Sequence, residues 1–111
     1  MRTWFHLHGL ASVRTGLLLA AAILALPAQA NEALARKNGC LGCHAVATKL
    51  VGPAYKDVAA KYAGQADAQA LLVQSIRNGS VGKWGELPMP AHPKLSDADL
   101  KKLASWILGL K

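Results

Sequence analysis

The sequence predicts a small all-α domain, and three observations carry that expectation. Beyond position 30 the apolar residues recur at helical spacing and never alternate over the length a half-buried strand needs. Glycine and proline separate these stretches at short intervals. At 111 residues the chain holds at most one domain, and a domain this small buries so little apolar area that it often needs a staple or a cofactor.

The first thirty residues stand apart from that domain. Arg2 and Arg14 lie in an opening without an acidic residue, followed by LLLAAAILAL, Leu17 to Leu26. Pro27 and the small-x-small triplet Ala28-Gln29-Ala30 close the run, the layout of a secretory signal cleaved after Ala30. A retained membrane anchor would need roughly 20 apolar residues, and this run has ten. The expectation is therefore a cleaved leader over 1–30, a folded domain over 31–111 and no stable membrane insertion of the mature protein. Removing Arg2 and Arg14 lowers the formal charge from +7 to +5. The remaining lysines are scattered, unlike the dense basic block of a nucleic-acid tail, so no nucleic-acid partner is expected.

Four helices follow in order. Asn31 is placed to cap EALARKN, which runs into Gly39. After Val51-Gly52-Pro53 comes YKDVAAKY, closed by Ala63-Gly64. Asp67 starts DAQALLVQSIRN, with Leu71, Leu72, Ser75 and Ile76 near one face and Gly79 at its end. Residues 79–93 hold too many glycines and prolines for a regular element. Ser96 and Asp99 form a capping pair for the last helix, whose Leu100, Leu103, Ala104 and Ile107 make an apolar stripe.

The chemistry concentrates in CLGCH, Cys40 to His44, which holds both cysteines of the chain. A zinc site needs four ligands, commonly two cysteine pairs or a pair with two histidines. Beyond the leader the chain offers Cys40, Cys43, His44 and His92 alone, and His44 adjoins Cys43 too closely for easy tetrahedral closure. A dithiol oxidoreductase places C-x-x-C after a strand in a βαβ pattern, and no strand precedes Cys40. A plain disulfide is permitted in an exported protein but leaves His44 without a role. Cys-x-x-Cys-His is the attachment pattern of c-type haem, two thioethers to the porphyrin and an imidazole on the iron.

A second iron ligand is available in LPMP. Met89 is the only methionine once the leader is removed, and Pro88 and Pro90 flank it. A methionine that merely fills a gap has no need of two rigid neighbours; a thioether that must point at an iron does. It lies 45 residues after His44, room for two helices to pass around a haem edge. His/Met ligation is the arrangement of electron-transfer cytochromes c. His92, three residues on, is the rival ligand, since neutral imidazole also binds iron.

From Asn31 to Lys111 the chain resembles the small class I cytochromes c of bacterial periplasms, most of all the five-fifty-one, or c-eight, group. The resemblance rests on GCLGCHAV, TKLVGPAYKDVAAKYAGQA, IRNGS, WG, PMP and SWILGLK. It implies a small class I cytochrome c fold: four helices and loops wrapped around one covalent haem, the first and last helices crossing. It also implies that Cys40 and Cys43 hold the haem, that His44 and Met89 are its axial ligands, that the Pro53 carbonyl orients His44, and that the Trp84 indole N–H bonds a haem propionate. The protein would be a soluble, monomeric electron carrier of the periplasm, not an enzyme. Its partners would be a cytochrome bc-type donor and a nitrite reductase, peroxidase or oxidase as acceptor. Two other classes remain open: a sensor or enzyme in which Met89 leaves the iron, and a thiol-disulfide protein without haem.

Three features depart from the pattern of the group. Ser75 stands where members commonly have an arginine that pairs with a propionate, so it brings a hydrogen bond but no charge. His92 stands where an asparagine is common, and the loop after Met89 is one residue longer. Arg77, about 200° around the helix from Ser75, is expected to point elsewhere.

The leader makes a direct prediction. Mature protein should begin at Asn31, be soluble, and exceed its polypeptide mass by one haem. Mass spectrometry of membrane-bound protein with Arg2 intact would contradict it.

Overall fold

The computed structural model describes Gly16 and residues 27–111. The Leu17–Leu26 run and both leader arginines, on which the signal reading rests, lie outside the described residues. The order of elements is α1 (Pro27–Lys37), a 3-10 turn (Cys40–Gly42), α2 (Tyr55–Tyr62), α3 (Ala68–Asn78) and α4 (Asp97–Leu108). No strand occurs among the described residues, and the one isolated β-bridge joins Ser80 to Met89. The all-α expectation and its four helices hold.

α1 starts earlier than expected. Asn31, read from the sequence as its cap, lies inside the helix, which begins at Pro27. Proline suits a first helical position because its φ is already helical and it has no N–H to leave unpaired. Ala28, Gln29 and Ala30 then extend the turn as good helix formers. The helix ends as read. The Asn38 side-chain amide donates to the Leu34 carbonyl at 2.8 Å, and Gly39 takes a left-handed φ of 75° to turn the chain into the cysteines.

α2 has no side-chain cap. Its first free N–H groups are met instead by the preceding loop: Tyr55 and Lys56 donate to the carbonyls of Ala45 and Val46 at 3.0 Å each. Asp67 does stand at the start of α3, without a side-chain bond. Ser96 caps α4 as expected, its Oγ accepting from Asp99 N–H at 3.1 Å.

The core gathers on α4, which packs against α1, α2 and α3. Leu100 is wholly buried and Leu103 nearly so, with Tyr55, Val58 and Tyr62 of α2 and Ala68, Leu72 and Ile76 of α3 in the same cluster. Ala35 on α1 and Ala104 on α4 are also fully buried; side chains this small let two helix backbones approach. The face expected for α3 is turned slightly. Leu72 and Ile76 are buried, whereas Leu71 and Ser75 sit half-buried at its margins. Arg77 pairs with Asp97, tying the end of α3 to the start of α4.

Leu100 at 0 % exposure has no route to relax outward. Leu100→Ala should destabilise the domain by about 2–5 kcal/mol, read as a lower denaturation midpoint at unchanged slope. A midpoint equal to the wild type would show that α4 is not the centre of the core.

Candidate functional site

The tight turn after α1 brings the motif residues together. His44 N–H and Cys43 N–H both donate to the Cys40 carbonyl, at 2.9 and 3.1 Å, so two thiols and an imidazole leave one short stretch of backbone. Both thiols are free. Burial pushes the Cys40 thiol pKa up, although a hydrogen bond from Tyr55 works against it. Burial, then the neighbouring thiols, push the Tyr55 phenol up as well. Both groups are therefore neutral at ordinary pH.

Among the described residues His44 is the one buried polar side chain, 8 % exposed. Its Nδ1 lies 2.8 Å from the Pro53 carbonyl oxygen. A carbonyl can only accept, so Nδ1 carries the proton and Nε2 keeps its lone pair. The loop that delivers Pro53 is folded back by Gly52 N–H, which donates to the Cys43 carbonyl at 2.7 Å. Gly52 has to be small: a Cβ there would stand 2.5 Å from His44 Cε1. On another side Tyr55 stacks on the imidazole, ring centroids 4.8 Å apart and planes within 15°. Trp106 of α4 meets Tyr55 edge-on at 5.4 Å. The ring is thus held by a hydrogen bond, a glycine and an aromatic stack.

Met89 is placed by a second clasp. Ser80 and Met89 exchange backbone hydrogen bonds, 3.1 Å from Ser80 N and 2.8 Å from Met89 N. Gly79, at φ 78°, lets the strands of this loop touch; a Cβ there would lie 2.7 Å from the Met89 carbonyl oxygen. His92 is used differently. Its backbone N–H donates to Ile76 O at 2.9 Å, closing the end of α3, and its side chain is not part of the cavity wall.

The six residues singled out from the sequence line one open cavity of about 400 Å³: Cys40, Cys43, His44, Pro53, Trp84 and Met89. The wall behind them is the apolar core itself, with Leu72 and Ile76 of α3 and Leu103 and Ile107 of α4. A covalent haem asks for two free thiols, an imidazole of fixed tautomer, a further soft donor and an apolar enclosure. Each is present here, and the residues fit the group. Among the described residues no three His, Cys, Asp or Glu side chains gather as a metal cluster would require.

At the cavity rim Trp84 is 39 % exposed. The Lys61 ammonium of α2 lies 4.4 Å from the centre of its ring, a cation–π contact. Sequence reasoning missed this lysine, the Tyr55 stack and the Gly52 and Gly79 approaches. The two glycines stand beside proline or serine in loops, a detectable hint of close backbone approach. The stack and the lysine left no signal, since their partners are distant in sequence.

The cytochrome c family model matches residues 28–111. The chain is similar to cytochrome c-552 of Nitrosomonas europaea, 57 % identical over 84 residues, which cover 76 % of this chain and 82 % of that one. It is similar to cytochrome c-551 of Pseudomonas aeruginosa, 51 % identical over 102 residues, covering 92 % and 94 %. The crystal structure of wild-type Nitrosomonas europaea cytochrome c552 superposes with a TM-score of 0.70 at 56 % identity, over 72 % of this chain and 99 % of that one. With the matching family model, the helices and these relatives together, the chain belongs to the bacterial class I c-type cytochromes, all-α electron carriers that work through a haem and are not enzymes.

Proposed function

We propose that this cytochrome is a soluble periplasmic shuttle, carrying one electron at a time on a single haem c bound through Cys40 and Cys43, with His44 and Met89 as axial ligands. The observation that carries the reading is the imidazole of His44, whose Nδ1–H is committed to Pro53 while Nε2 is left for the same cavity that Met89 lines. When bound, the haem supplies an iron that gains and loses one electron. The chain's own residues set the terms of that exchange.

Pro53 holds the imidazole plane and makes it a stronger donor by accepting from Nδ1–H. Met89 offers a soft thioether, which favours the reduced metal and raises the potential. His44 and Met89 would together hold the iron from both sides and leave no open position for a substrate. Trp84, at the cavity rim, would offer its indole N–H to a haem carboxylate. Leu50, Val51 and Leu87 are exposed at the cavity mouth beside Lys49 and Lys83. An apolar edge ringed by lysines suits brief encounters, with charge giving speed more than affinity. The partners fitting such a carrier are a cytochrome bc-type donor and a nitrite reductase, peroxidase or oxidase as acceptor.

The reading predicts a dependence of folding on the haem. Leu72, Ile76, Leu103 and Ile107 would otherwise face an open hollow, at a cost that grows with the cavity left behind. Cys40→Ala combined with Cys43→Ala should lose most helical circular dichroism or fail to accumulate. A stable, helical apoprotein would refute that dependence.

The axial assignment has its own test. Met89→Ala should abolish the near-red sulfur-to-iron band of the oxidised protein, lower its potential and open the reduced iron to carbon monoxide. His92→Ala should keep the band. A band that survives loss of Met89 and disappears with loss of His92 would reverse the assignment, and carbon monoxide binding by the wild type would favour a sensor.

A further inference from the structure

The rim of the cavity carries more positive charge than negative. Lys83 and Lys49 line it, and Glu86 is the one acidic residue of the wall. Lys83 is held in place: its ammonium donates to Ser75 Oγ on α3 at 2.9 Å. Lys61 of α2 donates to the Lys83 carbonyl at 3.1 Å while lying over Trp84. Two ammonium groups are thus drawn to one short stretch, Lys83-Trp84. The salt bridges among the described residues pair Arg36 with Glu32, Arg77 with Asp97 and Lys102 with Asp99, and none involves Lys61 or Lys83.

Fixing a lysine side chain on a neutral serine costs rotamer entropy and gains little by itself. Setting a second cation nearby costs more. Both costs are recovered if an anion sits between them. A haem has two carboxylates, which are ionised at neutral pH and, against an apolar wall, need a hydrogen bond or a cation. An ammonium has three N–H groups, and Ser75 takes one.

We infer that Lys83, steadied by Ser75 and Lys61, is the cationic seat for a haem carboxylate. This rests on the haem reading above and goes beyond it by assigning the charge. It also completes the expectation for Ser75, which brings the hydrogen bond read from the sequence. That position has no charge of its own, but the fold returns one from a residue eight places downstream. Arg77 takes no part, being paired with Asp97.

The sign of the effect follows from charge. An ionised carboxylate stabilises ferric iron, so the reduction potential falls as pH rises through the carboxylate pKa. A lysine beside it favours the ionised form and moves that fall to lower pH. The other charged groups at the rim, Lys49, Lys61 and Glu86, are common to every variant compared, and so is Tyr55, which is neutral in this range.

The experiment is a potential-versus-pH titration of holoprotein for the wild type, Lys83→Met, Ser75→Ala and Lys101→Met. Lys101 is an exposed residue of α4 that does not line the cavity, so its loss controls for net charge. The fall in Lys83→Met should shift upward by about one pH unit or more. Ser75→Ala should shift it less, in the same direction, and Lys101→Met should follow the wild type. If Lys83→Met superimposes on the wild type, or moves no further than Lys101→Met, the inference is overturned. Haem mass and the near-red band, measured on each sample, report separately on the haem reading. Their absence from the wild type would remove that reading and this inference with it. Their presence with unmoved curves would remove the inference alone.

Discussion

The hydrogen bond from His44 Nδ1–H to the Pro53 carbonyl is the contact around which the site is arranged. Making it requires the loop after Cys43 to return across the imidazole. That return needs Gly52 N–H on the Cys43 carbonyl and no side chain at Gly52. The same return puts Tyr55 at the start of α2, where it stacks on the ring it has just passed. One bond therefore couples the tautomer of the imidazole, the path of a loop and the register of a helix. Because Tyr55 leans on Trp106 of α4, the imidazole is also connected to the helix that organises the core.

The Met89 side is built on a different principle. No helix carries Met89, and no aromatic stack supports it. Two backbone hydrogen bonds to Ser80 and the bare Cα of Gly79 hold its main chain, while Pro88 and Pro90 restrict it from either side. A ligand held this way has a rigid backbone and a flexible side chain. The thioether suits that position, since its three rotatable bonds let sulfur find its place after the loop is set. The two axial candidates thus divide the work: one ring is locked in orientation, and one side chain is free to adapt.

Much of this could be read along the chain because the relevant partners are local. C-x-x-C-H lies within one turn of backbone, PMP states its own rigidity, and α2 begins and ends where its apolar spacing says it should. Misreadings arose where a local signal met a competing one. Asn31 reads as a cap, but in the full-length chain, with residues 27–30 still attached, α1 begins at Pro27. Ser75 offers the hydrogen bond read from the sequence, and the fold adds its partner, the Lys83 ammonium. Nothing near Ser75 announces that, because Lys83 approaches from a loop whose course depends on Lys61 and on the bridge to Met89.

The sequence by itself determined the helices, the C-x-x-C-H motif and the kinds of side chain it offers to the cavity, since periodicity, spacing and side-chain chemistry are properties of short segments. Tertiary structure decided what surrounds those atoms. It turned Nε2 of His44 toward the cavity by committing Nδ1 to Pro53, and took His92 out of the wall by using its N–H to close α3. It also moved a positive charge to Ser75. Each of these outcomes depends on two segments meeting that are separate along the chain, and which atoms a loop presents is settled only when its backbone hydrogen bonds find their partners.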